Sequence, residues 1–525
     1  MTKKKVIIMG AGPGGVQLAY FLEKMKVDYL VLERNDKAGS FFSKFPIQRR
    51  LISINKVYTG SDDPEVNMRF DWNSLLSDKG DVKFKDYSKE YFPDPDHLVN
   101  YLNDYVKTHD LNVNYNSCIN EIKKTDETFE IVTQDAIYQS EYLVVATGLS
   151  KPNIPEIENI DISKNYEDID NPEIYANRRV LIIGKGNSAL ETAESLTPYA
   201  SLIHCLSPSP IKMAWQSHYV GNLRAINNNF LDTYQLKSQN GIINGQIKKI
   251  EKQGSKILVE IGYANANGEV ETIEYDDIIT CAGFRFDNSI FHFDSRPEMT
   301  INNKFPLQTS SWESKNVDNL FFAGTLTHMR DYKKSTSGFI HGFRYNSKCL
   351  SQILINKLNN SFSWETDGSE TLDSTALSRK IIINVNRAAS IWQQFGFISH
   401  VVCLNIETNS FEYFYDVPVD YLHDNTNLFA THFMVITLEY GNEVFENADN
   451  IFAVQRVHKD DVDNADKSAF LHPVIREYRD GALLSSHHII EDFESNWSEE
   501  AVHFNPLQKH INARLEEAGK MIEML

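Results

Sequence analysis

The sequence predicts an α/β fold with two Rossmann-like units, the second inserted into the first, followed by a C-terminal α+β appendage. One observation is a pair of similar strand, glycine turn and helix segments, at residues 4–24 and 178–196. Another is a pair of buried strands ending in small-residue turns, at 142–155 and 278–287. A last strand and glycine turn, at 319–346, returns the chain to the first unit. This alternation of strands and helices is typical of parallel α/β sheets.

The first glycine motif has the spacing of a dinucleotide-binding turn. An apolar run at residues 6–9 precedes it, and a helical pattern follows. Gly10 permits the tight turn, Gly12 lets a pyrophosphate approach the backbone, and Gly15 lets the helix pack closely on the strand. The free N–H groups at the start of the helix then face the phosphates. The next apolar strand ends in Glu33, where a carboxylate can hold ribose hydroxyls.

The second glycine motif repeats this pattern with Gly184, Gly186 and Ala189. The strand that follows ends in Ser207 rather than an acid, so a 2′-phosphate is not repelled, which favours NADPH. No arginine follows directly and Lys212 is the nearest cation, so NADH stays open. A duplicated fold without a second ligand is the alternative interpretation.

Composition limits the classes of partner. The chain has 525 residues and a formal charge of −20, which argues against nucleic acid and anionic membranes. No apolar run approaches the roughly 18 residues of a membrane span. The five cysteines include no CxxC pair, which is typical of a reducing compartment and offers neither a disulfide framework nor a zinc site. Together with a start that lacks a signal-peptide pattern, this predicts a soluble, cytoplasmic monomer or homodimer.

We expect four segments along the chain. Residues 1–165 and 285–360 form the first dinucleotide-binding domain, residues 166–284 the inserted one, and residues 361–525 the appendage. The polar stretch after Ser361 has the composition of a linker. In the appendage, Pro418 should restrict its strand to a sheet edge. A terminal amphipathic helix is expected from apolar residues at helical spacing, namely Leu507, Ile511 and Leu515.

These motifs together resemble two-dinucleotide-binding-domain flavoproteins of the flavin-containing monooxygenase kind. Segments 39–60, 70–76, 218–238 and 337–346 closely resemble the FAD-dependent oxidoreductase domain-containing protein family. The same branch is similar to single-component flavin-dependent halogenases, which reduce their own flavin with NADPH and brominate phenols or indoles. The resemblance implies FAD in the first unit and NADPH or NADH in the inserted one.

The resemblance and the motifs assign cofactor contacts to specific residues. Those expected at FAD are Gly10, Gly12, Pro13, Gly15, Glu33, Arg34, Ser40, Phe41, Phe42, Arg50, Leu51, Ile119, Ala146, Thr147, Gly148, Gly324 and Gly338. Those expected at the nicotinamide dinucleotide are Gly184, Gly186, Asn187, Ser188, Glu191, Ser207 and Lys212. Thr325 stands where the family usually has an aspartate, so a carboxylate contact to the ribityl chain is not expected there.

The missing cysteine pair bears on the reaction. Disulfide reductases of this architecture pass electrons to a cysteine pair, so here the expected acceptor is oxygen or an organic molecule. A flavin peroxide that hydroxylates or halogenates (brominates) a small electron-rich aromatic, such as a phenol or indole, follows as the predicted chemistry, with oxygen and halide as co-substrates. The signature FxGxxxHxxx(Y/W) of ordinary monooxygenases is absent before the second glycine motif. The alternatives are N- or S-oxygenation without halide, and an NAD(P)H-sensing flavoprotein that acts through a partner.

Five residues are candidates for the chemistry itself. Lys237 could hydrogen-bond an oxidised halide and steer it to the aromatic ring, or lie solvated on a helix. His218 and Tyr219 could orient substrate or nicotinamide, or be structural. Arg224 could bind a 2′-phosphate or a substrate carboxylate, or form a surface ion pair, and Trp72 could wall the substrate side. No metal site is predicted, because the adjacent histidines at 487–488 would point apart in a strand.

Overall fold

A seven-stranded sheet organises the first unit. Its strands are Thr2–Met9, Tyr29–Leu32, Val113–Asn114, Ile119–Thr125, Thr128–Thr133, Ile137–Val145 and Leu320–Phe322. Thr2–Met9 lies parallel between Tyr29–Leu32 and Ile137–Val145, with Ile8 opposite Val31 and Val144. The apolar run of this central strand is buried, as expected when helices cover both faces of a parallel sheet.

The structure is a computed structural model that describes residues 1–78, 80, 82–125, 127–169, 171–236, 240–446, 448 and 450–523.

A second seven-stranded sheet forms the inserted unit. In spatial order its strands are Val270–Tyr275, Lys256–Tyr263, Gly241–Gln253, Leu202–Ser207, Arg179–Ile183, Asp277–Thr280 and Lys164–Asn165. The chain then returns to the first sheet, where Leu320–Phe322 pairs in parallel with Ile137–Val145. The predicted α/β fold with one Rossmann-like unit inside another is therefore confirmed.

Two short strands join the units. Lys151–Pro152 leaves the first unit and pairs antiparallel with Phe284–Arg285, which leaves the second. The two crossings thus run side by side. A further two-stranded ribbon is formed by Met299–Thr300 and Phe305–Pro306.

Helices cover the sheets of both units. The α-helices here are Pro13–Lys24, Pro64–Asn67, Pro95–Thr108, Asn187–Leu196, Ala214–Ser217, Asn229–Gln235 and Ile340–Asn359. Pro13–Lys24 and Ile340–Asn359 pack on each other behind the first glycine turn. Among the described residues, no helix is both long and apolar enough to cross a lipid bilayer.

The C-terminal region is an α+β unit with a six-stranded antiparallel sheet. In spatial order the strands are Thr366–Thr371, Ser410–Pro418, Ile398–Asn405, His432–Glu439, His472–Arg479 and Ala482–His488. Its α-helices are Ser374–Arg387, Ala389–Gln393, Val419–Asp424, Thr426–Phe429, Asn442–Glu446 and Asn505–Glu523. The terminal helix is the predicted amphipathic one, with Leu507 and Ile511 fully buried.

Two expectations for this region are wrong. The polar stretch after Ser361 is not a linker, because it contains the strand Thr366–Thr371 and the start of a helix. Pro418 does not mark an edge strand, because its strand lies between two others. Pro418 is the last residue of that strand and lies beyond Phe414, where the pairing with Thr366–Thr371 ends, so its missing N–H leaves that ladder intact.

The C-terminal region is hydrogen-bonded to the first unit through Gln394. Gln394 is fully buried, and its Oε1 accepts a hydrogen bond from the N–H of Thr336 at 3.2 Å. Its Nε2 donates to Ser337 Oγ at 3.0 Å and to Asn346 Oδ1 at 2.7 Å. One side chain therefore holds the loop that leads into helix Ile340–Asn359.

Candidate functional site between the two glycine turns

The first glycine turn is shaped by close backbone contacts. Gly10 has φ +102°, and a Cβ there would lie 3.0 Å from the carbonyl oxygen of Ala146. A Cβ on Gly15 would lie 2.0 Å from the carbonyl oxygen of Gly10, so the helix can approach the strand only with glycine. Gly12, by contrast, has open space beside it, since the nearest atom to such a Cβ is 4.0 Å away. Pro13 begins the helix, whose first turn has no capping side chain or acid.

Glu33 sits directly against this turn. Its Oε2 accepts a hydrogen bond from the N–H of Ala11 at 2.8 Å. Its Oε1 accepts from the N–H of Asn35 at 3.0 Å and from Ser40 Oγ at 3.3 Å. The structure thus brings together Glu33 and Ser40, which sequence reasoning selected, and adds Asn35, which it missed.

Other expected FAD contacts lie around the same edge of the sheet. Ala146 N–H donates to the carbonyl of Met9 at 2.8 Å, and Thr147 and Gly148 follow directly, Gly148 with φ +63°. Gly324 opens a 3₁₀ turn with φ +64°, and a Cβ on Gly338 would lie 3.1 Å from the His328 ring. Leu51 and Ile119 are buried, whereas Arg34 and Arg50 are exposed.

The expected FAD contacts Phe41 and Phe42 pack within a cluster of aromatic rings. Phe41 and Phe42 are 5.4 Å apart between ring centroids, and Phe41 also lies 4.8 Å from Phe45. Phe284, on the second crossing strand, contacts Phe41 and Phe45. These rings therefore join the first unit to the crossing between units.

The second glycine turn has the same construction. Gly184 has φ +135°, and a Cβ there would lie 2.4 Å from the carbonyl oxygen of Cys281. Gly186 has no atom within 4 Å of the Cβ position, and its helix also begins without a side-chain cap. Lys185 lies between the two glycines, is buried and hydrogen-bonds Asn244 Oδ1. Burial lowers the pKa of Lys185. Sequence reasoning did not single it out.

Asn187 uses both ends of its amide to hold a neighbouring loop. Its Oδ1 accepts from the N–H of Arg224 at 2.9 Å and from Asn227 Nδ2 at 3.0 Å. Its Nδ2 donates to the carbonyls of Gly221 and Asn222 at 3.3 and 2.9 Å. The loop that carries Tyr219 and Arg224 is thereby fixed to the second glycine turn.

The remaining predicted contacts of the second unit differ in their surroundings. Glu191 is buried, and the Tyr166 hydroxyl donates a hydrogen bond to its Oε1. Burial raises the pKa of Glu191 to about 7, the neighbouring hydrogen bonds opposing it. Ser188 lines a crevice that Tyr166 also lines. Ser207 is partly buried, and Lys212 is exposed at the end of the same sheet.

A stack of side chains connects the two units. The Arg224 guanidinium lies 5.2 Å from the centroid of Trp72, and Trp72 stacks on His341 with centroids 4.2 Å apart. His341 is 1% exposed, and among the described residues neither of its ring nitrogens has a hydrogen-bond partner. Burial, aided by Arg344 and Arg224, lowers the pKa of His341 well below its ordinary value. Burial also lowers the pKa of Arg224, which forms no ion pair within the described part of the chain.

A second cross-unit contact involves Tyr219. Its hydroxyl lies 3.0 Å from His328 Nε2, and His328 Nδ1 lies 2.9 Å from Asp331 Oδ1. His328 and Asp331 are each 3% exposed. Sequence reasoning selected Tyr219 but missed both partners, because no motif spacing connects residues on different units.

His218 and Lys237 complete the predicted set. The His218 ring stacks on Tyr440 at 4.0 Å and meets Phe445 edge-on at 4.5 Å, so it contacts the C-terminal region. Burial lowers the pKa of His218. Lys237 lies outside the residues that the structure describes.

The residues present fit two dinucleotides. Each glycine turn leaves open space at its second glycine and precedes an uncapped helix N-terminus, which is the arrangement that binds pyrophosphate. The ring nitrogens of His341 add buried polar atoms beside the junction to which the described residues offer no hydrogen-bond partner. Burial raises the pKa of the Cys205 and Cys281 thiols, which disfavours the reactive thiolate form.

Comparisons with known proteins agree with this geometry. The sequence profile described as pyridine nucleotide-disulphide oxidoreductase matches residues 7–324. FAD-dependent oxidoreductase domain-containing protein 2 of Mus musculus is 34% identical, over 96% of this chain and 83% of that protein.

Two solved structures show the same fold. A flavin-containing monooxygenase from Stenotrophomonas maltophilia has a TM-score of 0.53 at 16% identity and covers 68% of this chain and 100% of its own. The bacillithiol disulfide reductase Bdr from Bacillus cereus has a TM-score of 0.51 at 20% identity, with the same coverage of both chains. The chain therefore belongs to the pyridine nucleotide-disulphide oxidoreductase family, together with FAD-dependent oxidoreductase domain-containing protein 2, and is an oxidoreductase that uses FAD and NAD(P)H.

Proposed function

We propose that this protein is a single-component, monooxygenase-type enzyme that oxidises NADPH and uses molecular oxygen to hydroxylate or brominate a small electron-rich aromatic, such as a phenol or indole. One observation carries the proposal: the stack of Arg224, Trp72 and His341 at the junction of the two nucleotide-binding units. Aromatic rings beside a cation that forms no ion pair within the described residues suit a flat, electron-rich substrate.

The chain's own residues would divide the work as follows. The turn at Gly10–Gly15, with Glu33 and the Gly324 turn, would hold FAD, and the turn at Gly184–Gly186 would hold NADPH. Bound FAD would supply hydride acceptance and oxygen activation. Trp72 and His341 would shield the junction from water, since both are packed against other rings. Arg224 would orient the electron-rich substrate.

The cysteine pattern supports an acceptor other than a protein dithiol. Cys205, Cys281, Cys349 and Cys403 are buried, and only Cys118 is exposed. Burial favours the protonated form of the four buried thiols, which makes them poor nucleophiles.

The proposed preference for NADPH over NADH is based on the charges near the expected 2′-phosphate. Ser207 ends its strand without an acid, and Lys212 is exposed nearby, so a 2′-phosphate meets no repulsion there. We therefore expect NADPH to be oxidised with a higher kcat/KM than NADH.

The test is NADPH and oxygen consumption by the purified FAD-loaded protein, with a panel of phenols and indoles. Substrate-stimulated NADPH and oxygen consumption with an oxygenated product supports the proposal. No NADPH oxidation in air would sink it. Oxidation that requires a small disulfide instead of oxygen would move the protein to disulfide reduction. Product on amines or sulfides alone would favour N- or S-oxygenation.

Assays with and without bromide distinguish halogenation from hydroxylation of the aromatic substrate. Brominated product that appears only with bromide supports halogenation, and hydroxylated product regardless of bromide supports hydroxylation. Lys237→Ala tests the lysine assigned to steering of an oxidised halide: unchanged bromination in this variant would remove that role. If the purified protein binds both nucleotides without turnover, the sensing alternative through the C-terminal region gains support.

A further inference from the structure

Tyr219, His328 and Asp331 form a hydrogen-bonded row across the two units. The distances are 3.0 Å from Tyr219 Oη to His328 Nε2 and 2.9 Å from His328 Nδ1 to Asp331 Oδ1. The rings of Tyr219 and His328 are also stacked, with an interplanar angle of 10° and ring centroids 5.4 Å apart. Asp331 is anchored in turn, because its Oδ2 accepts from the N–H of Ser337 at 3.1 Å.

The neighbouring backbone determines which nitrogen of His328 carries the proton. The N–H of Lys333 points at His328 Nε2 from 3.4 Å, and a backbone N–H can only donate. Nε2 is therefore the acceptor, and Nδ1 carries the hydrogen that it donates to Asp331. It follows that the Tyr219 hydroxyl donates its hydrogen to Nε2 and keeps its lone pairs for another donor.

The row lies between the two nucleotide-binding turns. A Cβ on Gly221 would lie 2.4 Å from Tyr219 Oη, and the carbonyl of Gly221 accepts from Asn187 at the second turn. At the other end, a Cβ on Gly338 would lie 3.1 Å from the His328 ring. His328 itself lies in the 3₁₀ segment Gly324–Met329, whose first glycine contacts Gly14 at the first glycine turn.

Few other titratable or charged groups face this row. Tyr332 packs its ring 5.5 Å from His328. Lys304 and Lys333 lie over the ring of Tyr332, at 5.7 and 5.3 Å. Burial raises the pKa of Tyr219, so its hydroxyl is neutral at physiological pH and can donate to His328.

We propose that Tyr219 accepts the acidic O–H or N–H proton of the aromatic substrate while its own hydroxyl proton passes to His328, and that Asp331 is the residue that positions His328. In this step the substrate O–H bond breaks as a new O–H bond forms on Tyr219, while the original Tyr219 proton moves to His328 Nε2. The Asp331 carboxylate stabilises the resulting imidazolium, and the substrate is left as the more electron-rich anion. The inference rests on the proposed function and narrows its substrate to phenols and related aromatics with an ionisable hydrogen.

The test reads substrate ionisation without turnover. The probe is 4-nitrophenol, whose absorption differs between its neutral and ionised forms, added to the FAD-loaded protein with NADP⁺ and followed by difference spectroscopy. In the unaltered protein the ratio of ionised to neutral bound probe should exceed that in free solution by about tenfold at the same pH. Tyr219→Phe, which keeps the ring stack, and Asp331→Asn should each remove most of this excess.

Tyr332→Phe is the matched control. Its ring also packs on His328, but its hydroxyl is not part of the row, so the excess should persist. Ionisation in Tyr219→Phe equal to that in the unaltered protein would overturn the relay. A probe that binds in neutral form to every variant would overturn it as well, and a probe that does not bind would overturn the phenolic substrate class. NADPH oxidation in the same preparations judges the proposed function separately, because normal turnover without probe ionisation refutes only the relay.

Discussion

Gly14 and Gly324 are in backbone contact, although they belong to opposite ends of the first unit. A Cβ on Gly14 would lie 2.4 Å from the Cα of Gly324 and 2.7 Å from its nitrogen. Helix Pro13–Lys24 therefore packs against the turn that opens the 3₁₀ segment Gly324–Met329. This contact holds the returning chain segment against the first glycine turn.

Gly14→Ala should weaken the fold and FAD binding together. The added methyl group meets backbone atoms that cannot rotate away, so we expect a loss of about 1–3 kcal/mol in the free energy of unfolding. Urea unfolding and FAD content after purification measure the two effects. Gly519→Ala is the control, since nothing lies within 4 Å of its Cβ position and it sits in the terminal helix. Equal stability of the two variants would contradict the close contact.

Glu33→Gln should weaken FAD binding by about tenfold, because the carboxylate accepts the Ala11 N–H and, as the motif predicts, would accept the ribose hydroxyls. Titration of the apoprotein with FAD, followed by the quenching of flavin fluorescence, measures the dissociation constant. Glu127→Gln, at an exposed turn, is the control and should leave that constant unchanged. If both variants bind FAD alike, Glu33 supports only the turn.

Glu191 should make stability fall as pH rises. Burial raises its pKa to about 7 from an ordinary value of 4.5, so between these values the unfolded chain releases a proton that the folded chain retains. Its stabilising contribution is complete below about pH 4.5 and is lost as pH rises through 7, an effect on the order of 3 kcal/mol. Urea unfolding at pH 5 and pH 8 should show a smaller decline in Glu191→Gln. The same decline in both proteins would contradict the raised pKa.

Tyr440→Ala should loosen the loop at residues 213–224. His218 loses its stacking partner, and this contact joins the loop to the C-terminal region. Amide hydrogen exchange across the loop should become about tenfold faster, since local opening would no longer disrupt the stack. Phe293→Ala, at a side chain that is 80% exposed, serves as the control. Unchanged exchange in Tyr440→Ala would show that the contact does not restrain the loop.

Much of the fold could be predicted from local patterns. Apolar strands followed by glycine turns need only neighbouring residues to be recognised, and they predicted the fold class with its two Rossmann-like units. The prediction of a linker was wrong, because it was based on residue composition and took no account of strand pairing. The polar stretch after Ser361 contains an edge strand, because backbone hydrogen bonds to Ser410–Pro418 outweigh its weak strand propensity.

The sequence by itself determined the two glycine turns, their cofactor class and the lack of a cysteine pair, since each depends on residue type and short-range spacing. Only the tertiary structure decided which side chains share the junction. Tyr219 and His328 are 109 positions apart, and Trp72 meets Arg224 and His341 from a third part of the chain. The physical reason is that the inserted unit packs against the first unit. Contacts between the two units depend on how their surfaces meet, and such contacts leave no periodic pattern in the sequence.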